Sequence, residues 1–485
     1  MNYYIGIDLG TSALKGILVD SKGTVLRQST ASYDVIYPQN GWTEQNPNDW
    51  IVALNKTLAE LVQGCAKDVK GISFGGQMHG LVVLDAQDNV IRPCILWNDG
   101  RTEKQTKYLN ETVGRDFLVQ QTGNIAFAGF TAPKLLWVRE NEPEHFAKIA
   151  KIMLPKDYLV YYLSGTFATD YSDASGTLLL DVANRTWSQK MCEICGVSLE
   201  QLPNLHESYD VVGTIKPHIA SQLGLPINVK IVAGAGDNAA SAIGTGTVED
   251  GVCNISLGTS GTLFVASKEF VAPQNNALHA FCHANGKYHY MGCILSAASA
   301  NKWWIEDVLR AEYELPASVE RNLGKNTVFF APYLSGERCP HNDTAVRGAF
   351  FGLSANTSRE EMSLAVLEGV AFAFRDCLEL CAASGVKITQ STLCGGGAKS
   401  TIWRQILCDV LNISLQTVAT EQGVSFGASI LAMVACGEYA SVEQAAKAVV
   451  HKNTVAKPSS SEVAAYNEMY KKYKKLFSLL KEFTN

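Results

Sequence analysis

Short apolar runs that predict strands alternate along this chain with longer stretches of helical periodicity that predict helices. Two of these runs, at residues 4–7 and 17–19, lie on either side of the glycine turn DLGTS at 8–12. A second pair, at 253–255 and 263–265, lies on either side of the turn SLGTS. Strand, tight glycine turn and strand form the pattern of a β-hairpin, so the sequence predicts one hairpin at each place.

The two predicted hairpins resemble each other, and Ser256 of the second follows Asp8 of the first by 248 positions in a chain of 485. This spacing indicates an ancient duplication, and we predict two similar lobes, residues 1–246 and 247–485. A turn of this kind points backbone N–H groups and hydroxyls at one spot, which suits an anion. We therefore expect a nucleotide in a cleft between the lobes, with its phosphates held from both sides.

The first half continues with the alternation of strands and helices that is typical of α/β layers. Four apolar residues at helical spacing between 51 and 61 predict a helix that begins at Asn48-Asp49. Residues 69–74 predict a strand leading into the loop GGQMHG, and residues 229–233 predict a strand leading into GAGDN. Such strand ends are where α/β folds place their chemistry.

The second half repeats this arrangement after its own hairpin. The pattern predicts a long helix at 362–383 and a strand at 392–394 that leads into three glycines, 395–397. Ser400 then caps a helix with apolar positions between 402 and 411. From Ser459 onward, apolar and aromatic residues on one face predict a helix that docks on the rest of the protein.

Composition narrows the classes of protein that remain. Apolar residues make up 47 % and charged residues 18 %, which supports buried cores. The net charge of −6 and the scattered basic residues argue against a nucleic-acid partner. No stretch approaches the roughly 20 apolar residues that span a bilayer. The 13 cysteines are typical of reduced thiols, so we expect a cytoplasmic protein without a membrane partner.

Two common nucleotide-binding loops are missing from the sequence. No G-x-x-x-x-G-K-[ST] segment occurs, because neither Lys287 nor Lys325 is followed by Ser or Thr. No G-x-G-x-x-G follows a predicted strand, which argues against a dinucleotide fold. What remains is the two-domain α/β fold of actin, hexokinase and the heat-shock ATPases, with duplicated ribonuclease-H-like lobes and an interdomain cleft.

Two long segments resemble the signatures of the FGGY family of carbohydrate kinases. Residues 129–137, GFTAPKLLW, match the first signature, and residues 348–368 match the second. Within the family, four shorter segments resemble the xylulose kinases: GQMHG, LWNDGR, LPKDY and YLSGER. The resemblance extends from about residue 3 to about residue 440. It departs at Cys339, where the family pattern has Thr.

The resemblance implies that ATP phosphorylates a ketopentose, D-xylulose to D-xylulose 5-phosphate, with Mg²⁺ as a cofactor. Asp237, in the family's GDN motif, is implied to be the general base that accepts the hydroxyl proton. From the residues alone, Asp237 equally fits the cap of a helix beginning at Asn238. Asp8 is implied to act in catalysis by holding Mg²⁺ through water, and its alternative is a turn residue that satisfies local N–H groups.

The residues implied to bind the nucleotide lie on both hairpins and on the triple-glycine segment. They are Thr11, Ser12, Lys15, Gly258, Thr259, Gly396, Gly397 and Ser400. Glycines without side chains let the adenosine approach the backbone, and the helix that follows favours negative charge at its start. The alternatives are a solvated strand residue for Lys15 and a flexible turn for the glycines.

The residues implied to bind the sugar combine polar groups with an apolar wall. They are Met78, His79, Trp97, Asp99, Asp237 and Asn238. From the residues alone, Met78 and Trp97 are equally typical of a core, and His79 of a structural histidine. Arg338 and Arg347 either line the cleft or pair with acidic neighbours, and the sequence leaves this open.

Two metal-like spacings are interpreted as structural. Cys192-x-x-Cys195 has no second pair to complete a zinc site, and His279-x-x-x-His283 has helical spacing but no acidic partner.

Rival functions also fit parts of the pattern. Related kinases act on ribulose, gluconate or glycerol, and the same fold serves ATP-driven chaperones and filament proteins. A chaperone would carry a further peptide-binding domain, and a filament protein would polymerise with ATP. The small-molecule partners we expect are a sugar and ATP, and a homodimer is compatible with the sequence.

Overall fold

The computed structural model describes residues 1–272, 277–310, 319, 322–388, 390–419 and 423–484. The strands are β1 (Tyr3–Leu9), β2 (Ala13–Asp20), β3 (Val25–Ser32), β4 (Glu44–Gln45), β5 (Val69–Gly76), β6 (Val82–Leu84), β7 (Cys94–Ile95), β8 (Lys151–Met153), β9 (Ala168–Asp170), β10 (Leu180–Asp181), β11 (Thr186–Trp187), β12 (Asn204–His206), β13 (Val211–Thr214), β14 (Lys230–Val232), β15 (Ala235–Gly236), β16 (Val252–Leu257), β17 (Gly261–Ser267), β18 (His279–Cys282), β19 (Tyr288–Ile294), β20 (Phe329–Ala331), β21 (Ala349–Phe351), β22 (Gln390–Cys394), β23 (Leu415–Val418) and β24 (Lys452–Ala456).

The helices are α1 (Pro47–Leu61), α2 (Glu103–Lys107), α3 (Arg115–Thr122), α4 (Thr131–Asn141), α5 (Pro143–Phe146), α6 (Pro155–Ser164), α7 (Tyr171–Ala174), α8 (Gln189–Cys195), α9 (Pro217–Leu223), α10 (Asp237–Gly244), α11 (Ala298–Lys302), α12 (Arg359–Ala383), α13 (Thr401–Leu411), α14 (Gly423–Ala435), α15 (Val442–Val449), α16 (Ser460–Tyr473) and α17 (Leu476–Thr484). A π-helical turn, Trp303–Val308, extends α11.

Two mixed sheets of seven strands have matching orders, which confirms the two-lobed α/β architecture. The first runs β13-β14-β5-β1-β2-β3, with β15 also paired to β5, and the second runs β18-β19-β17-β16-β22-β23-β24. In each sheet two consecutive strands form an antiparallel hairpin, β1 with β2 and β16 with β17. The first strand of each hairpin also pairs in parallel with a third strand, β1 with β5 and β16 with β22. The matching strand orders therefore agree with the duplication inferred from the two turns.

Helix α14 belongs to the second half of the chain but packs on the first sheet, against β1, β5 and α10. The approach is closest at glycines. A Cβ atom on Gly427 would lie 1.8 Å from the carbonyl oxygen of Ala240, and one on Gly6 would lie 1.9 Å from that of Ser425. These glycines bring the backbone of α14 into direct contact with β1 and α10, so α14 packs as part of the first lobe.

Most predicted boundaries are correct to within a few residues. Helix α1 begins at Pro47, where the Asn46 side chain accepts a hydrogen bond from the Asn48 N–H. Ser400 caps α13 by accepting from the Trp403 N–H at 3.3 Å, as predicted. Strand β5 continues through Gly76, two residues into the predicted loop, because Gly76 pairs with Leu9.

The C-terminal helices dock as predicted, through an aromatic face on α16. Tyr466 donates a hydrogen bond to Glu368 at 2.9 Å, and Tyr470 donates to Asp376 at 2.5 Å. Both acceptors lie on the long helix α12 and are buried. The tail therefore closes the outer side of the second lobe.

The helical spacing assigned to His279 and His283 was wrong. His279 begins the strand β18, so its spacing to His283 is not that of a helix. Cys192 and Cys195 are free, buried thiols, as expected of structural residues. Among the described residues, no group of three or more His, Cys, Asp and Glu side chains is arranged to hold a metal ion, and no described helix is long and apolar enough to cross a membrane.

The helix crossing gives the first prediction. Gly427→Ala should destabilise the protein by about 3 kcal/mol or more, because the added methyl group meets rigid backbone rather than a movable side chain. Urea unfolding measures this loss. Gly100→Ala is the matched control, since its Cβ would meet its nearest atom at an ordinary 3.4 Å. Equal stabilities for the two variants would contradict the close contact.

Candidate active site

The predicted base lies where two parallel strand ends meet. Strand β15 pairs with the end of β5, so the residues that follow each strand emerge side by side. These are Asp237, the first residue of α10, and Met78. The Met78 sulfur lies 3.8 Å from the Asn238 side-chain nitrogen, and a Cβ on Gly236 would touch the Met78 side chain. The structure therefore brings Met78, Asp237 and Asn238 together.

Asp237 does not cap a helix that begins at Asn238, because α10 already includes it and Gly236 occupies the cap position. Its carboxylate accepts hydrogen bonds from the Asn238 backbone N–H at 2.7 Å and side-chain amide at 3.0 Å. Burial, and secondly the nearby charge of Asp8, raise the pKa of Asp237 to about 7. A carboxylate with that pKa is suited to accept a proton near neutral pH.

Asp8 lies at the end of β1, opposite Gly75 of β5 and Lys15 of β2. Burial raises the pKa of Asp8 to about 6, against the opposing effect of the Lys15 charge. The carboxylates of Asp8 and Asp237 are thus close enough to influence each other at the carboxyl edge of the first sheet.

The residues at this edge fit a magnesium ion. The charge of Lys15 acts on Asp8, and the charges of Asp8 and Asp237 act on each other. A divalent cation beside them would offset this negative charge. Proteins commonly hold Mg²⁺ with one or two carboxylates, several waters and substrate phosphates.

Two neighbouring cavities open along the triple-glycine segment of the second lobe. One of about 710 Å³ is lined by α11, Gly396, Gly397, Ser400 and Trp403. The other, of about 640 Å³, also reaches Gly396 and extends to Asp8 and Lys15. Both cavities reach Gly396, so they lie next to each other between the triple-glycine segment and the first hairpin.

The second hairpin turn is fixed from behind. Gly258 and Thr259 accept backbone hydrogen bonds from Ala298 at 2.7 Å and Ala297 at 3.0 Å, which ties the turn to the start of α11. Thr259 is exposed toward solvent, as are Ser12 and Lys15 on the first hairpin. Each hairpin therefore presents polar groups that are free to meet a ligand.

The remaining predicted sugar residues have distinct surroundings. Trp97 is 47 % exposed, and its indole N–H donates to the Thr11 hydroxyl at 3.0 Å, beside the first hairpin. The His79 ring stacks on Phe130 at 4.7 Å and donates from Nδ1 to the Gly176 carbonyl at 2.8 Å. Burial lowers the pKa of His79 to about 3, so the ring is neutral. Its backbone has a φ of 70°, in the left-handed region.

Asp99 is held differently from the direct sugar contact expected of it. Its carboxylate is buried and accepts from the Thr43 N–H at 2.6 Å and from the Arg101 guanidinium at 2.7 and 2.8 Å. Arg101 in turn lies over Trp42 and Trp137. With both oxygens occupied, Asp99 is arranged to position the Trp97 loop rather than to bind a ligand.

Comparison with known proteins agrees with this architecture over nearly the whole chain. The model for the N-terminal domain of the FGGY family of carbohydrate kinases matches residues 3–244, and the model for its C-terminal domain matches residues 253–436. The chain belongs to the FGGY family of carbohydrate kinases. As a member of that family it is a sugar kinase that uses ATP.

Individual relatives of this FGGY kinase cover its full length. The xylulose kinase of Escherichia coli is 40 % identical over 483 residues, 98 % of this chain and 99 % of that protein. A crystallised xylulose kinase from Brucella ovis is 39 % identical, with a TM-score of 0.92 over 99 % of this chain and 100 % of its own. A gluconate kinase from Lactobacillus acidophilus is 26 % identical, with a TM-score of 0.94 over 99 % and 98 %.

Sequence reasoning missed a buried polar cluster beneath the base of this FGGY kinase. The Lys156 ammonium lies 2.5 Å from Asp157, 2.9 Å from Asp170 and 3.7 Å from Asp173. The Ser172 hydroxyl donates to Asp170 and accepts from the Gly236 N–H at 3.1 Å, one residue before Asp237. The segment LPKDY resembles the xylulose kinases, but only the fold reveals that its lysine supports the loop of the predicted base.

The raised pKa of Asp237 predicts how activity depends on pH. A base must be ionised to accept a proton, so kcat/KM should fall as the pH decreases through about 7, rather than through the usual carboxyl range near 4. Asp8→Asn removes a neighbouring negative charge, which lowers the pKa of Asp237 and moves this decline to lower pH. A pH profile of both enzymes tests this, and a wild-type midpoint near 4 would contradict it.

Proposed function

We propose that this kinase transfers the γ-phosphoryl group of ATP to D-xylulose and forms D-xylulose 5-phosphate. The observation that supports it most directly is the meeting of Asp237, Met78 and Asn238 at one sheet edge, beside the first phosphate hairpin. The 40 % identical E. coli relative and the B. ovis structure are xylulose kinases, which favours the same sugar here.

In the proposed reaction the sugar lies between Met78 and Trp97, with its terminal hydroxyl against Asp237. Asp237 accepts the hydroxyl proton as the oxygen bonds to phosphorus and ADP leaves. Asn238 holds the Asp237 carboxylate in place through two hydrogen bonds. The Lys156 cluster supports the same loop from below and keeps water away from its inner side.

The nucleotide is proposed to lie along the two neighbouring cavities. Gly396, Gly397 and Ser400 would contact the adenosine, and the hairpin residues would contact the phosphates. These are Thr11, Ser12 and Lys15 on the first hairpin, with Gly258 and Thr259 on the second. Asp8 would hold Mg²⁺ through water, and the ion would neutralise phosphate charge during transfer.

Closure of the lobes would align the two substrates, because the two hairpins lie in different sheets, one in each lobe. Such alignment and the exclusion of water supply much of the rate in phosphoryl transfer. The division into lobes at residue 246, the cytoplasmic location and the homodimer remain predictions from the sequence.

Ribulose, gluconate and glycerol are the alternative acceptors. The gluconate kinase structure fits this fold as well as the xylulose kinase structure does, so the backbone does not distinguish these sugars. The identity to xylulose kinases over the full length is the observation that favours xylulose.

A panel of acceptors tests the substrate. ADP release in a coupled assay should give the highest kcat/KM with D-xylulose, compared with D-ribulose, L-ribulose, D-gluconate and glycerol. Another acceptor that wins by tenfold or more would move the assignment to that sugar. Enzyme without any acceptor is the control, since an open cleft should hydrolyse ATP only slowly.

Substitution of the base tests the mechanism. Asp237→Ala should lower kcat by about two or more decades while sugar binding stays measurable, because the base acts mainly in the transition state. Asp116→Ala, at an exposed acidic residue of α3 that lines neither cavity, is a control for loss of a carboxylate. Turnover near that of the wild type in Asp237→Ala would remove the base assignment.

A further inference from the structure

Arg338 lies in the loop that follows β20, and an ion pair does not explain its position there. No carboxylate among the described residues forms an ion pair with it. The adjacent Glu337 turns away, since its carboxylate accepts the backbone N–H groups of Leu295 and Arg338. The guanidinium carbon instead lies 4.7 Å from the centre of the Phe127 ring.

Phe127 belongs to the first lobe and begins a row of rings that ends at the sugar site. Its centre lies 5.3 Å from that of Phe130, and Phe130 stacks on His79 at 4.7 Å. We call Phe127, Phe130 and His79 the aromatic wall. Arg338 therefore reaches from the second lobe onto the wall that carries a predicted sugar-binding histidine.

The other side of Arg338 adjoins the second phosphate hairpin. The backbone N–H of Cys339 donates to the carbonyl of Cys293 at 2.9 Å, which fixes the loop against the end of β19. Cys293 pairs with Thr262, close to the hairpin turn. Arg338 thus stands between the hairpin that is proposed to hold phosphate and the aromatic wall.

A second polar group near Phe127, a histidine ring nitrogen, lacks a hydrogen-bond partner among the described residues. His279 of the second lobe meets the Phe127 ring edge-on at 4.8 Å. It is buried, and among the described residues its Nδ1 has no hydrogen-bond partner. Buried polar groups are rarely left without partners unless a ligand, water or conformational change satisfies them. The second lobe therefore places a guanidinium without an ion pair and a histidine nitrogen without a hydrogen-bond partner around one ring of the wall.

We propose that Arg338 is a substrate-binding residue that the second lobe contributes to the sugar site. Its N–H groups would donate to hydroxyl or carbonyl oxygens of the sugar, at the end remote from Asp237. The inference rests on the proposed function and adds to it that both lobes recognise the acceptor. Binding of the sugar would then favour closure, because the ligand joins the aromatic wall to the loop of the opposite lobe.

The position of Arg338 favours the sugar over the nucleotide. The cavities along the triple-glycine segment carry their own cations, Lys15 and Lys399, and Arg338 does not line either cavity. A guanidinium on an aromatic ring keeps its N–H groups free at the edges for oxygen acceptors. A ketose offers several such oxygens beside an apolar face.

Arg347 supplies a matched control on the same segment. Its guanidinium donates to the carbonyls of Thr344, Ala345 and Val346 in its own turn, which accounts for its charge without any ligand. The two arginines that the sequence left undecided therefore differ: Arg347 is satisfied by carbonyls of its own turn, and Arg338 lies on the aromatic wall.

Kinetics of Arg338→Gln, Arg338→Lys and Arg347→Gln test the proposal. Arg338→Gln should raise KM for D-xylulose by about tenfold or more, since it removes hydrogen bonds from a charged donor, while KM for ATP stays within about twofold. Arg338→Lys keeps the charge but loses the planar fork, so its KM should be intermediate. Arg347→Gln should match the wild type in both constants.

Binding without nucleotide separates the possible outcomes. D-xylulose should raise the melting temperature of the wild type and of Arg347→Gln, and this rise should be reduced in both Arg338 variants. An unchanged KM for sugar, or a raised KM for ATP with normal sugar binding, would overturn the proposal. Failure of the proposed function would appear separately, as lack of xylulose turnover by the wild type. Arg338→Lys, which preserves the cation on Phe127, keeps the test valid if Arg338→Gln folds poorly.

Discussion

The glycine contact between α10 and α14 is the constraint on which the rest of this kinase depends. Helix α10 leaves the first sheet directly after Asp237, and α14 returns from the second half to lie on β1 and β5. Because Gly427 and Gly6 have no side chains, backbone meets backbone at this crossing. The contact therefore fixes α14 to the first sheet and to α10, about one helical turn from the proposed base, Asp237.

Similar supports recur around the site. In each, a neighbouring group fixes the position of a residue that was predicted to act in binding or catalysis. The Lys156 cluster holds the Gly236–Asp237 loop through Ser172, Arg101 holds Asp99, and α11 holds the second hairpin. The Lys156 ammonium and the Arg101 guanidinium are buried, and so is Asp99, whereas the hairpin residues Ser12, Lys15 and Thr259 are exposed. The positions of several predicted site residues are thus set by buried hydrogen bonds and ion pairs.

Local pattern explains why the sequence predicted some features correctly and not others. The hairpins, the Ser400 cap and the aromatic face of α16 depend on residues a few positions apart, so periodicity and turn chemistry reveal them. The contacts of Asp99, Lys156 and Arg338 join residues that are distant in sequence or depend on burial, and α14 crosses to the other lobe. His279 was misread because a spacing of four suits a helix, whereas strand pairing with Met291 decided its conformation.

The left-handed backbone at His79 has an evolutionary consequence. An L-residue with a side chain beyond Cβ is strained there by about 1–2 kcal/mol relative to glycine, and the stack on Phe130 and the bond to Gly176 compensate. Glycine or asparagine at this position would relieve the backbone strain and stabilise the fold, but would remove the imidazole. Selection for stability and selection for substrate binding therefore favour different residues at position 79.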